Sequence, residues 1–404
     1  VRSLRLLAAC ALLTLALTAA TVGGAAGAVG ATPATGEADD RQVVRVEAAQ
    51  AGDLAAAAAT LVADMSVRER AASVVMGHIP TTDAEQLRAY MADTGLGGFI
   101  LMGANIPGDE AALRAVTTAL TVDPELPPLL AVDQEGGDVS RLPWDAFASA
   151  VTLKSTPPDA ARDAFAGRAG LVMRAGIGVN FGVVADETDD PSMFIYRRAL
   201  GTTPESAAER VAAAVAGEGS SAMSTLKHFP GHGAAPGDSH SGIPSTDMSR
   251  AEWEAADALP FRAGIDAGAP LVMLGHLAYT SVDSAPASLS SVWNRILRDD
   301  LGFDGVAVTD DLGMLQASGI DAYADPVANA VSALSAGNDL VLTVMFSTAD
   351  TAPRIIDGIV GAVESGTLPA ARLVEAAERV TMLRLRLAAD GGGLSPCPDC
   401  AAAG

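Results

Sequence analysis

Residues 302–314 read Gly302-Phe303-Asp304-Gly305-Val306-Ala307-Val308-Thr309-Asp310-Asp311-Leu312-Gly313-Met314. Val306 to Thr309 form a short apolar run bounded by glycine, which predicts a buried strand. That strand stops on two carboxylates. Other short apolar runs stop in the same way: Val132 before Asp133, Leu226 before Lys227 and His228, Gly275 before His276. Strands must end somewhere, so some polar ends arise by chance. Four ends carrying Asp, Lys or His are more than chance supplies in a chain with five His and only two Lys, Lys154 and Lys227.

Working outward, the strand candidates are Gly97–Met102, Pro128–Val132, Val179–Val184, Ala222–Leu226, Leu271–Leu274, Val306–Thr309 and Asp339–Val344. Between them lie Ala-rich helical patterns at Asp109–Leu120, Ala160–Ala175, Thr203–Ala216 and Val327–Ala336. Ser66-Val67-Arg68-Glu69 fits a capping box that opens an early helix. Continuous apolar strands alternating with helices imply a parallel sheet covered by helices. Seven strands suit an α/β fold, a single (β/α)8 TIM-type barrel, with a doubly wound open sheet as the alternative. The eighth strand has no clear signature. In a barrel, all strand C-termini meet at one mouth, so the polar ends would converge there. No strand precedes a GxGxxG or GxxxxGK[ST] pattern, so nucleotide binding has no support.

The 404 residues carry 26 Lys+Arg against 49 Asp+Glu, a net charge of −23. Nucleic acid needs a basic face, so it is excluded as a partner. Hydrophobic content of 49% with 19% charged residues excludes a disordered chain. Three Cys exclude a disulfide-built scaffold.

Residues 1–40 read as a signal peptide and linker: Arg2 and Arg5, then apolar Leu6 to Ala20, then small residues through Ala31. This predicts a secreted or envelope-associated protein. Cys10 resembles a lipobox cysteine but lies too early in the apolar stretch for a lipid anchor. Residues 41–390 are assigned to the barrel and 391–404 to a Gly/Cys-containing tail. In that tail Cys397-Pro398-Asp399-Cys400 suggests a small disulfide loop or a frayed end rather than a redox site.

The densest chemistry is Lys227-His228-Phe229-Pro230-Gly231-His232-Gly233, followed by Asp238-Ser239-His240; three of five His fall within 13 residues. His228 and His232 have the spacing of a helical metal pair, but Pro230 and Gly231 between them disfavour that helix turn. A loop that binds metal through His228, His232, Asp238 and His240 stays open on the sequence. The rival is an acid/base dyad. Asp238 can accept a hydrogen bond from His240 two residues on, which fixes the imidazole tautomer and poises the ring to protonate a leaving group. Of Asp310 and Asp311, strand alternation sends one to the mouth and leaves the other to cap the next helix. In Asp133-Gln134-Glu135-Gly136-Gly137-Asp138-Val139-Ser140-Arg141, the glycine pair suggests a tight turn. Asp133 there is placed to bind hydroxyls, and Arg141 to bind a carboxylate or hydroxyls.

Taken together, Lys-His-Phe-Pro-Gly-His-Gly, Asp-Ser-His, Thr-Asp-Asp-Leu-Gly-Met and Asp-Gln-Glu-Gly-Gly resemble glycoside hydrolase family 3, and most of all its β-N-acetylglucosaminidase branch. The resemblance runs from about residue 60 to 390. It implies a (β/α)8 barrel and a retaining mechanism. It makes Asp310 the nucleophile, His240 the acid/base and Asp238 its partner. Asp133, Arg141, Arg198, Lys227 and His228 match sugar-binding positions, and Met314, Asp186 and Glu135 look close to the sugar. Three departures bear on substrate range. Ala199-Leu200 replaces Ser-Phe on a loop expected to face substrate, Asp138 stands where a basic residue is common, and Thr188 to Tyr196 lacks the usual Asn/Pro-rich pattern.

The expected activity is release of terminal GlcNAc from peptidoglycan fragments or chitin oligosaccharides. No cofactor and no obligate protein partner are expected. A histidine is neutral after giving up its proton and does not repel an anionic acceptor, so phosphorolysis by a GlcNAc phosphorylase is an alternative, as is a β-glucosidase. A metal-dependent hydrolase and a non-catalytic glycan-binding protein are the readings from other classes.

Overall fold

The structure is a computed structural model, and it describes residues 52–219 and 221–389. The leader and linker expected at 1–40 and the tail at 391–404 lie outside the described residues.

Eight parallel strands close into a barrel. They are β1 (Val75–Gly77), β2 (Gly98–Leu101), β3 (Leu129–Val132), β4 (Val179–Val184), β5 (Met223–Phe229), β6 (Leu271–Leu274), β7 (Val306–Asp311) and β8 (Leu340–Leu342). Neighbours in space are neighbours in sequence, and β1 pairs with both β2 and β8 to close the ring. The single (β/α)8 TIM-type barrel is therefore the fold, and the open sheet is not.

All seven expected strands are present. The eighth, β1, is three residues long and follows the helix Val67–Ser73 almost directly. Its apolar run Val74-Val75-Met76 merges with that helix in the sequence, which hides the change of period. The Ser66 capping box forms: the Ser66 side chain accepts from Glu69 N, and Glu69 reaches back to Ser66 N. The helices Glu110–Leu120, Pro158–Arg174, Pro204–Glu218 and Pro326–Ala336 lie where the Ala-rich patterns predict them. Asp109, Thr203 and Asp325 cap three of them, each accepting from a backbone N–H in the first turn.

Strand alternation sorts the core into layers. Met76, Ile100, Leu129, Ala131, Val179, Phe181, Leu271, Met273, Val306, Val308, Leu340 and Leu342 form one cluster, which fills the barrel. Their alternates, among them Val272, Leu274 and Ala307, pack outward against the helices. Val380, Leu383 and Leu387 of the last helix, Ala370–Ala389, join the interior cluster.

Candidate active site

The same alternation points the chemistry. Leu129 and Ala131 face inward on β3, so Asp133 is next in that row. Val306 and Val308 face inward on β7, so Asp310 continues inward and Asp311 does not. A cavity of about 510 Å³ opens there, beyond the strand ends. Asp133, Glu135, Arg141, Arg198, Lys227, His228, His240, Asp310 and Met314 all line it.

An ionic cluster forms one wall. The Lys227 ammonium lies 2.9 Å from Asp133 Oδ1 and 2.7 Å from Glu135 Oε1. Arg198 grips Glu135 with two parallel bonds, Nε to Oε2 at 2.9 Å and Nη2 to Oε1 at 2.7 Å. Burial alone would raise the Glu135 carboxyl; the charges of Arg198 and Lys227 overcome it and hold it at about 2. Arg141 Nη2 is 3.4 Å from Asp133 Oδ2. A small antiparallel ribbon, Gln134–Gly136 against Val139–Ser140, carries Glu135 and is flanked by Asp133 and Arg141. Its turn is the predicted one, with Gly136 at φ 84° and Gly137 at φ 75°. A Cβ on Gly136 would meet Arg168 Nη2 at 1.9 Å, so glycine is required there for space as well as for conformation.

Asp186 differs from expectation. It is fully buried and does not touch the cavity. Its carboxylate accepts from His228 N at 3.1 Å and His232 N at 2.6 Å, and meets His228 Nδ1 at 2.7 Å. It therefore organises the loop after β5 rather than touching sugar. Arg198 Nη2 sits 3.3 Å from His228 Nε2. Arginine only donates, so that nitrogen accepts and the proton lies on Nδ1, toward Asp186. Trp253 Nε1 donates to Pro230 O at 2.8 Å and the Tyr279 hydroxyl donates to Gly231 O at 2.7 Å, fixing the rest of the loop.

At the end of β7, Asp310 receives the Asp311 N–H at 2.8 Å. Burial opposes its charge, but His228, His276, that N–H and Lys227 outweigh it and hold the carboxyl below the usual range. Asp311 does cap the helix Leu312–Ala317, through Gly313 N at 2.9 Å. It also accepts from Val344 N at 2.7 Å and Met345 N at 2.8 Å. Its carboxyl is pushed up to about 6 by burial. His276 is buried behind the wall, bonded to Ser288 Oγ and Asp311 O.

The Asp238–His240 pair forms as read. Asp238 Oδ1 accepts from His240 N at 2.9 Å and lies 2.7 Å from His240 Nδ1. The opposite ring nitrogen is left for the cavity side. Phe194, from the 188–196 stretch, sits edge-on to His240 with ring centroids 5.7 Å apart. Gly233, at the start of this loop, lies against another chain segment: a Cβ there would meet Glu187 O at 1.6 Å.

His228, His232, Asp238 and His240 do not assemble as a metal set. Both nitrogens of His228 are engaged by Asp186 and Arg198. Among the described residues, no three His, Cys, Asp or Glu side chains are grouped to hold a metal ion. Ala199 and Leu200 also differ from expectation. Both are buried, and Leu200 packs in the outer core, so neither side chain faces substrate. Asp138 does line the cavity, where Arg197 holds it with bonds of 2.6 and 3.0 Å. Residue reading missed Phe194 and the apolar walls from Ile100, Met102, Met273 and Met345. The strand pattern marks some of these as barrel interior, but not which lie nearest the mouth.

A strand-end carboxylate and a proton donor on one barrel cavity are the arrangement of a glycosidase, with an imidazole here in the place where a second carboxylic acid is usual. Comparison with known proteins agrees. The family profile described as the glycosyl hydrolase family 3 N terminal domain matches residues 63–383. A β-hexosaminidase of Chromobacterium violaceum is 36% identical over 336 residues, covering 80% of this chain and 89% of that one. The structure of a glycoside hydrolase family 3 β-N-acetylglucosaminidase from a Paenibacillus species superposes with TM-score 0.75 at 29% identity, over 81% of this chain and 63% of that chain. A β-N-acetylhexosaminidase from Beutenbergia cavernae superposes with TM-score 0.69 at 27% identity, over 80% of this chain and 99% of that one. The chain belongs to glycoside hydrolase family 3, and it is a glycoside hydrolase.

Proposed function

We propose that the protein is an exported, retaining exo-β-N-acetylglucosaminidase acting on peptidoglycan fragments or chitin oligosaccharides. The observation that carries this is the placement of Asp310 and the Asp238-bonded His240 on one cavity. Similarity to β-hexosaminidases supports an N-acetylhexosamine as the sugar. Export rests on the basic and then apolar pattern of residues 2–20.

In this mechanism Asp310 attacks the anomeric carbon while its bond to the leaving oxygen breaks. His240 gives that oxygen a proton, with Asp238 holding Nδ1–H. Water then loses a proton to His240 and attacks the same carbon, and the Asp310 carboxylate is released. Asp133, Arg141, Lys227 and Arg198 bind the sugar hydroxyls, with His228 bonded to Arg198 beside them and Met314 against the apolar face of the sugar. The charge that keeps Asp310 ionised is what makes it nucleophilic at neutral pH.

The test is release of nitrophenol from its β-GlcNAc and β-glucose glycosides, in water and in phosphate buffer. Phosphate-independent GlcNAc release is expected. Phosphate-dependent release would make the enzyme a phosphorylase on the same site, and a preference for glucose would overturn the sugar assignment. Retained activity in Asp310→Asn would overturn the nucleophile. Fractionation of the source cells tests export.

A further inference from the structure

The Asp238 carboxylate belongs to the same loop as His240, so their bond orients the ring within the loop and does not fix the loop on the barrel. The His240 side chain is 54% exposed. Phe194 meets it from outside the loop, edge-on at 67° with centroids 5.7 Å apart. The Phe194 ring also contacts His232 at 5.6 Å and carries the Arg198 guanidinium at 5.5 Å. His232 in turn meets His228 edge-on at 6.0 Å. Among the described residues neither ring nitrogen of buried His232 has a hydrogen-bond partner, and its ring packs between those of Phe194 and His228. A run of ring contacts thus leads from His228, anchored by Asp186, to His240.

We propose that Phe194 is a positioning residue that seats the His240 imidazole over the breaking bond. The inference rests on the reading of His240 as proton donor. Phe194 has no proton to give. Its removal would let the imidazole drift while Asp310, Lys227 and Asp133 keep their places. Aromatic edge contacts are directional, so the ring sets orientation as well as distance. Glycosides with good leaving groups need no proton, and those with poor ones do. A misplaced donor therefore shows as a loss that depends on the leaving group.

The test measures kcat/KM for Phe194→Ala, Phe194→Leu, Phe194→Tyr and His240→Ala. The two substrates are the 2,4-dinitrophenyl β-GlcNAc glycoside and the β-1,4-linked GlcNAc disaccharide, and circular dichroism checks folding. The expected result for Phe194→Ala and Phe194→Leu is a loss of ~10-fold or more on the disaccharide but within ~3-fold of wild type on the dinitrophenyl glycoside, the scale of a small misplacement. Phe194→Tyr should restore the disaccharide rate. Equal losses on both substrates, or no loss, would overturn the proposal if His240→Ala keeps its own dependence on leaving group. If His240→Ala shows no such dependence, the proton-donor reading fails and takes this inference with it.

Discussion

Asp310 and Asp311 are adjacent on one strand and face different tasks. Asp311 spends its carboxylate on three backbone N–H groups, of Gly313, Val344 and Met345, while Asp310 receives one N–H and is turned to the cavity. Asp310→Asn should lower kcat by ~10⁴-fold or more, as removal of a nucleophile does, with an unchanged melting temperature. Asp311→Asn places an amide donor against backbone donors, and should cost ~1–3 kcal/mol of stability in urea titration.

Glu135 lies between two cations, Lys227 and Arg198; Glu135 and Lys227 are buried and Arg198 is partly buried. Glu135→Gln removes the charge that neutralises both. It should destabilise the fold by ~3–5 kcal/mol, as loss of one partner in a buried ion cluster does. Chemical denaturation measures it, and KM for the sugar should rise in the same variant.

Three buried carboxyls set the response to alkali. Burial, with Glu187 and Asp186 nearby, pushes Asp257 up to about 8; burial also pushes Glu218 to about 7 and Asp311 to about 6. The folded protein keeps protons there that the unfolded chain has released. Their contribution to stability should therefore be lost progressively as pH rises from the ordinary carboxyl range, about 4, to about 8. On the acid side, burial holds His276, His232 and His78 below 6.5, so the unfolded chain takes up protons first and stability falls again. Melting temperature should decline as pH rises from about 6.5 to about 8, where the histidines no longer oppose the carboxyls. Asp257→Asn mimics the protonated form and should flatten the alkaline limb; an unchanged limb would reject the assignment.

Gly233 has no room for a side chain, since Glu187 O occupies the site a Cβ would take. Gly233→Ala should displace the loop that begins there. Expected is a loss of ~10²-fold in kcat on poor leaving groups, with less effect on good ones. Steady-state rates on both substrate types check it.

Much of the site was legible because strands have a period of two. The capping role of Asp311, the hairpin at Gly136-Gly137 and the Asp238–His240 bond all follow from spacing of three residues or fewer, where the backbone leaves few choices. Strand β1 was not legible, because three residues carry too little period to separate from the preceding helix. Asp186 and Leu200 were misread because the sequence gives only their place after a strand or in a loop, and burial is decided by what packs against them from elsewhere.

The sequence by itself determined a parallel sheet covered by helices, through seven apolar strands alternating with helical stretches, and the identity of the chemistry at their ends; closure into a barrel was the first of two readings it allowed. Only the tertiary structure decided which groups meet. Lys227 lies 94 residues from Asp133 and His228 lies 42 from Asp186, and the side-by-side pairing of β3, β4 and β5 is what joins them. Local spacing fixes the direction of a side chain within its own strand or turn. Its partner, its burial and the state of its proton depend on segments far away in the chain, which folding alone brings within reach.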